Sequence, residues 1–164
     1  MSSTIILGID PGQITGFGVI CAQKSQMIPL DFGSIRTNPA SSPAEKYFTI
    51  FLAIEELISK HHPDAVAVET QFVYKNVQSA LKLGKAQGAV LIAAAKNGLP
   101  VFEYPPKQIK RALGTGNADK KEIQRLLQLV LGLSEIPKPE DAADALAIAL
   151  CHGNRLCMNS FVVR

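Results

Sequence analysis

The sequence predicts an α/β protein built on a five-stranded mixed sheet, three antiparallel strands and then two parallel ones, flanked by helices. Three observations predict it. Short apolar runs rich in β-branched residues come first, over 5–9, 16–22 and 28–35, with no helical stretch between them. Two more such runs, over 65–69 and 101–104, each stand between stretches of helical spacing. A meander followed by strand–helix alternation is the order of a mixed sheet with helices on its faces.

Each element has its local reason. The strand over 5–9 is closed by the turn Asp10-Pro11-Gly12. The polar stretch 23–26 separates the second strand from the third, and Gly33 breaks the third. Pro43 opens a helix in which Tyr47, Ile50, Phe51, Ile54, Leu57 and Ile58 recur at helical spacing, ending near His61-His62-Pro63. After the strand over 65–69 come a loop over 70–74 and a helix over 77–96, stopped by Asn97-Gly98. That helix carries Ala80, Gly84 and Gly88 at a spacing of four, a row of small residues suited to close approach of another helix or the sheet. Pro105-Pro106 ends the fifth strand, and a short helix follows over 107–112. Asp119 can cap a helix over 120–131, Pro137 and Pro139 mark a linker, and the last helix covers 140–156.

The 164 residues predict one domain, 1–164, with the tail 154–164 unassigned. At 47% apolar and 19% charged residues the composition is that of a globular chain. No apolar run approaches the roughly 18 residues of a membrane span, so no membrane partner is expected. The start Met1-Ser2-Ser3-Thr4 lacks the basic residues of a signal peptide. Three cysteines, Cys21, Cys151 and Cys157, are too few for a disulfide framework, and no Cys-x-x-Cys pair points to zinc. A reduced, cytoplasmic setting is expected.

Charge is uneven along the chain. Residues 75–125 hold ten basic and three acidic side chains, and the remainder holds seven basic against eleven acidic. A basic middle between acidic ends suits a polyanion held beside a carboxylate cluster, and equally suits an ordinary solvated surface.

Four carboxylates resist explanation by core packing. Asp10 and Glu69 each directly follow a buried strand, at the carboxyl end where open α/β sheets place their sites. Asp141 and Asp144 lie three apart on one helix face, Asp144 inside an alanine-rich apolar run. A carboxylate there is costly to bury unless it is paired or binds a metal. Each acid also has a plainer reading: a turn for Asp10, the start of a loop for Glu69, a helix cap or dipole partner for Asp141. Converging carboxylates call for hard cations such as Mg²⁺ or Mn²⁺. Two such ions can activate water and stabilise a leaving oxygen in phosphodiester cleavage. His152, beside Cys151 in the last helix, is open between core packing and a neighbour of the site. Asp10-Pro-Gly-Gln-Ile-Thr-Gly16 also resembles the first phosphate loop of actin-like ATPases, but those need two similar domains, more than this length supplies.

Taken together, Gly8-Ile-Asp-Pro-Gly12, Ala67-Val-Glu69 with Phe72, Ser79-Ala-Leu-Lys-Leu-Gly84, Tyr104-Pro-Pro-Lys107 with Ile109-Lys110, and Asp141-Ala-Ala-Asp-Ala-Leu-Ala-Ile-Ala149 with Cys151-His152 resemble the RuvC family of bacterial Holliday-junction resolvases. The matches run in order over residues 5–153. The resemblance implies a ribonuclease H-like fold, a homodimer and Mg²⁺-dependent nicking of two opposed strands at a four-way DNA junction. It implies that Asp10, Glu69, Asp141 and Asp144 are the catalytic and metal-binding acids, holding two Mg²⁺ with Mn²⁺ able to substitute. Phe72 matches an aromatic that stacks on a base near the exchange point. Lys110 and Lys120 match basic residues at the DNA surface, and Lys82, Lys85, Lys107 and Lys121 are expected phosphate contacts beside them. RuvA and RuvB, the branch-migration proteins, are the implied partners. The chain departs from the family at Gln13, one residue where two are usual, and in the short loop 114–118.

The reading is thus a structure-selective endodeoxyribonuclease of recombination and repair, leaving 5′-phosphate and 3′-hydroxyl ends. Its rivals are a catalytically weak junction- or nucleic-acid-binding module of the same fold, a nucleotide-binding actin-like fragment, and a nuclease acting on RNA–DNA hybrid.

Overall fold

A computed structural model describes residues 3–24, 26–70 and 76–162, the last four of these in backbone only. Its elements are β1 (Thr4–Asp10), β2 (Ile14–Gln23), β3 (Gln26–Arg36), α1 (Pro43–His61), β4 (Ala65–Glu69), α2 (Val77–Lys96), β5 (Val101–Tyr104), α3 (Pro106–Ala112), α4 (Lys120–Leu131) and α5 (Glu140–Val162). The sheet order is β3-β2-β1-β4-β5. The first three strands pair antiparallel, and β1–β4 and β4–β5 pair parallel, as expected.

β2 and β3 are longer than their apolar runs. Edge and hairpin residues such as Gln23 and Gln26 pair through their backbones, which side-chain polarity does not report. Pro29 is accommodated because β3 is the sheet's edge. Ser42 caps α1 in a reciprocal box with Glu45 at 2.7 and 3.3 Å, and Asp119 caps α4 by accepting from the Glu122 amide at 2.8 Å. The last helix runs through residue 162, so most of the unassigned tail continues α5.

Strand alternation divides the core in two. Leu7, Ile9, Val66 and Val68 face α1 and α2, whereas Ile6, Ala67 and Tyr104 face α5. The same period of two puts Asp10 and Glu69, the last residues of β1 and β4, on the α5 face. α5 is apolar all round from Ala145 to Cys151 and is buried accordingly.

Glycines set how close α5 comes. A Cβ on Gly8 would lie 2.3 Å from the Ala145 carbonyl oxygen, one on Gly16 1.8 Å from that of Asp141, and one on Gly18 2.8 Å from the Leu146 amide nitrogen. The helix therefore rests on bare backbone of β1 and β2. Among the described residues, the row Ala80, Gly84 and Gly88 does not serve this purpose. The second half of α2 packs, through Ala86, Ala89, Val90, Ala93 and Ala94, and a Cβ on Gly84 or Gly88 meets none of the described residues within 4 Å.

Candidate active site

The four predicted acids come from three elements and meet at the carboxyl ends of β1 and β4. Asp10 closes β1 opposite Gly16 of β2. The Asp141 carbonyl packs against that same glycine, so the start of α5 lies beside Asp10. Asp144 is one turn further along α5. Glu69 closes β4, the strand paired in parallel with β1.

The electrostatics of Asp10, Glu69 and Asp144 agree with that placement. Burial, then Asp144, Glu69 and Asp141, push the Asp10 carboxyl up from 3.8 to about 7, against a smaller opposing pull from Lys120. Burial and Asp144 raise Glu69, with Lys110 opposing. Burial raises Asp144 as well; Lys120 opposes, and Asp141 and Glu140 add to the rise. Such mutual repulsion at one end of a sheet stabilises nothing by itself. It suits a site whose work requires the acids together.

Two lysines enter this field. Lys120 Nζ lies 3.9 Å from Asp144 Oδ2 and 3.3 Å from Glu140 Oε2, and Asp144 first, then Glu140, holds its pKa above the usual lysine range. Lys110 bonds the Ala118 carbonyl at 3.4 Å, which ties α3 to the loop before α4. Lys120 thus stands beside Asp144, and the charge of Lys110 reaches Glu69. Lys107 and Lys121 are exposed on α3 and α4, and Lys82 and Lys85 are exposed on the first half of α2. Phe72 lies outside the described residues.

The donor set is chemically that of a hard divalent cation, carboxylate oxygens with no thiol or imidazole among them. Among the described residues, no group of three or more Asp, Glu, His or Cys side chains is arranged to hold a metal ion. Charged oxygens at a common coordination radius repel unless a cation lies between them.

Sequence reasoning missed Glu140 as the partner of Lys120, and the glycine seat beneath α5. The seat had a readable signal: Gly8, Gly16 and Gly18 sit at period-two positions in two adjacent strands, and the last helix is rich in alanine. His152 is resolved as a core residue, fully buried and hydrogen-bonded to Tyr104.

A family model described as "Crossover junction endodeoxyribonuclease RuvC" matches residues 6–152, which include all four acids and all six lysines. The crossover junction endodeoxyribonuclease RuvC of Protochlamydia amoebophila is 52% identical over 153 residues, covering 92% of this chain and 91% of its own. That of Citrifermentans bemidjiense is 46% identical over 158 residues, covering 95% and 96%. Among solved structures, T. thermophilus RuvC in complex with Holliday junction substrate superposes with a TM-score of 0.86 at 38% identity, over 96% of this chain and 97% of that one. The yeast mitochondrial Holliday junction resolvase Ydc2 shares the fold, with a TM-score of 0.64 at 16% identity over 94% and 85% of the two chains.

Proposed function

The chain belongs to the RuvC family of crossover junction endodeoxyribonucleases, and from that premise we propose how its acid cluster and basic rim resolve a Holliday junction. The activity is endonucleolytic cleavage of four-way DNA in recombination and repair. The observation that supports the assignment of the site is the convergence of Asp10, Glu69, Asp141 and Asp144 at the sheet's carboxyl end, with Asp10 held at about 7.

These four acids are the catalytic set and the ligands of Mg²⁺, two ions per site, with Mn²⁺ able to substitute. The ions, when bound, lower the pKa of the attacking water and stabilise the leaving oxygen. The protein's own part is to hold the carboxylates together. Asp10 and Glu69 are fixed by parallel pairing of their strands, and Asp141 and Asp144 by the seating of α5 on glycine. Lys120 and Lys110 supply positive charge where the scissile phosphate enters, and Lys82, Lys85, Lys107 and Lys121 contact phosphates along the arms. Such contacts make affinity fall steeply with salt. Phe72 stacks on an unpaired base at the exchange point. Removing it is expected to cost turnover on junctions while leaving metal binding intact, and full activity of Phe72→Ala would refute that role.

A single domain over 1–164 makes one cut, so paired cuts on a two-fold substrate call for a homodimer. The exposed first half of α2, with the unopposed row at Gly84 and Gly88, offers the face for it. In the cytoplasm the enzyme works with RuvA and RuvB, and its products carry 5′-phosphate and 3′-hydroxyl ends.

The decisive experiment is cleavage of a labelled synthetic four-way junction with Mg²⁺, beside linear duplex, for wild type and Asp10→Asn. Paired symmetric nicks confined to the junction and lost in Asp10→Asn are the expected result. Tight junction binding without cuts, in Mg²⁺ or Mn²⁺ and across several junction sequences, would replace the enzyme with a binding module.

A further inference from the structure

Tyr104 and His152 form a buried polar contact that no step of the cleavage uses. Tyr104 is the last residue of β5 and His152 lies on α5, two turns beyond Asp144. Both are essentially inaccessible to solvent, and Tyr104 Oη lies 2.6 Å from His152 Nδ1. The imidazole also stacks on Phe102 of β5 at 4.3 Å between centroids and 28° between planes. A hydrogen bond this deep is costly to leave half-made, so it fixes the relative position of its two elements.

What those elements carry gives the contact its meaning. Tyr104 is in register with Glu69 across the β4–β5 ladder, and its carbonyl accepts the Thr70 amide at 2.9 Å. The far end of the tie is the helix that bears Asp141 and Asp144. Asp10 has a separate anchor to that helix through Gly16. Glu69 has no glycine under α5 in its own strand, because β4 reads Ala-Val-Ala-Val-Glu.

We propose that Tyr104 and His152 are a positioning pair, whose buried hydrogen bond holds the Glu69 end of the sheet at a set distance from Asp141 and Asp144 on α5. The proposal rests on the reading of the four acids as a metal centre. The charge states agree with it. Burial, and then Arg155, hold His152 down to about 4, so its ring is neutral across the working range. Burial raises Tyr104, so the hydroxyl stays protonated; its oxygen accepts from Arg155, which only donates, and its proton is left for His152 Nδ1.

The test is Mn²⁺ binding to the full chain without DNA, followed by the paramagnetic resonance of free Mn²⁺, together with junction cleavage. Tyr104→Phe removes one oxygen and is expected to raise the Mn²⁺ dissociation constant about three- to tenfold, the size a lost neutral hydrogen bond reaches. Cleavage should then fall at limiting metal and recover at high metal, with KM for the junction unchanged. Two substitutions of His152 separate positioning from packing. His152→Asn keeps an acceptor near the Nδ1 position but loses the ring; it is expected to bind Mn²⁺ within about threefold of wild type. His152→Phe keeps a ring over Phe102 but loses the acceptor; it is expected to behave like Tyr104→Phe. The opposite order, with Phe better than Asn, overturns the pair's role, as does a Tyr104→Phe binding curve that superposes on the wild type. Wild type that binds no more Mn²⁺ than Asp10→Asn overturns the metal centre itself, a different result from either.

Discussion

Replacing Asp10 by asparagine should make the metal-free protein more stable while abolishing cleavage. The folded chain holds this carboxyl at about 7 against an ordinary 3.8, chiefly through burial and then through Asp144, Glu69 and Asp141. Between those two values the folded state binds one proton more than the unfolded state, so stability falls as pH rises through that window. The span is about three pH units at about 1.4 kcal/mol each, or roughly 4 kcal/mol lost by pH 8. Glu69 and Asp144, also raised, add to the same slope. Asparagine fills nearly the same space without the charge. In EDTA at pH 8 the Asp10→Asn variant should gain about 2–4 kcal/mol in urea titration, a rise of roughly 5–15 °C in Tm, and the gain should vanish near pH 4. Saturating Mn²⁺ should narrow or reverse the difference, because only wild type keeps the full ligand set. Equal or lower stability of the variant in EDTA at pH 8 would refute the reasoning, as would a wild-type Tm that stays flat between pH 4.5 and 7.5.

Three further outcomes follow from particular contacts. Lys120 competes with a bound cation at Asp144, so Lys120→Met should tighten Mn²⁺ binding without DNA by a few-fold, an effect limited by solvent screening; it should also slow junction cleavage at least about tenfold. A weaker Mn²⁺ affinity would show that the lysine does not compete there. Gly8→Ala places a Cβ 2.3 Å from the Ala145 carbonyl, and should cost more than about 3 kcal/mol in urea unfolding because backbone must move; a loss under about 1 kcal/mol would mean that α5 is not held against β1. Gly84→Glu meets no neighbour within 4 Å and should leave the fold intact, even slightly favoured by helix propensity. In sedimentation it should shift a dimer to monomers, and an unchanged dimer would move the interface elsewhere.

The placement of the four acids is legible in the sequence. Asp10 and Glu69 stand out because an acid directly after a buried strand has no packing role, and Asp141 and Asp144 because their spacing gives one helix face. The lysines were legible as a charged stretch but not by rank. Lys120 lies beside Asp144 and the charge of Lys110 reaches Glu69, while Lys82 and Lys85 lie on an exposed helix half, and charge counting cannot separate the two. The row on α2 left its partner open for a related reason. Small residues at a spacing of four permit a close approach, but whether anything approaches depends on which half of the helix the rest of the chain covers.

Local chemistry determined the elements: β-branched runs, a capping box at Ser42, Asp119 before α4, and a proline or glycine just after β1, β5 and each of α1 to α4. Periodicity determined the faces, and so which acids point toward the last helix. Tertiary structure alone decided how far apart those acids stand. Gly16 lies beneath the Asp141 carbonyl, and a tyrosine hydroxyl reaches a histidine 48 positions away, the tie proposed to set that distance. Such contacts join residues remote in sequence, and no local propensity or period encodes the separation of two elements packed across a core.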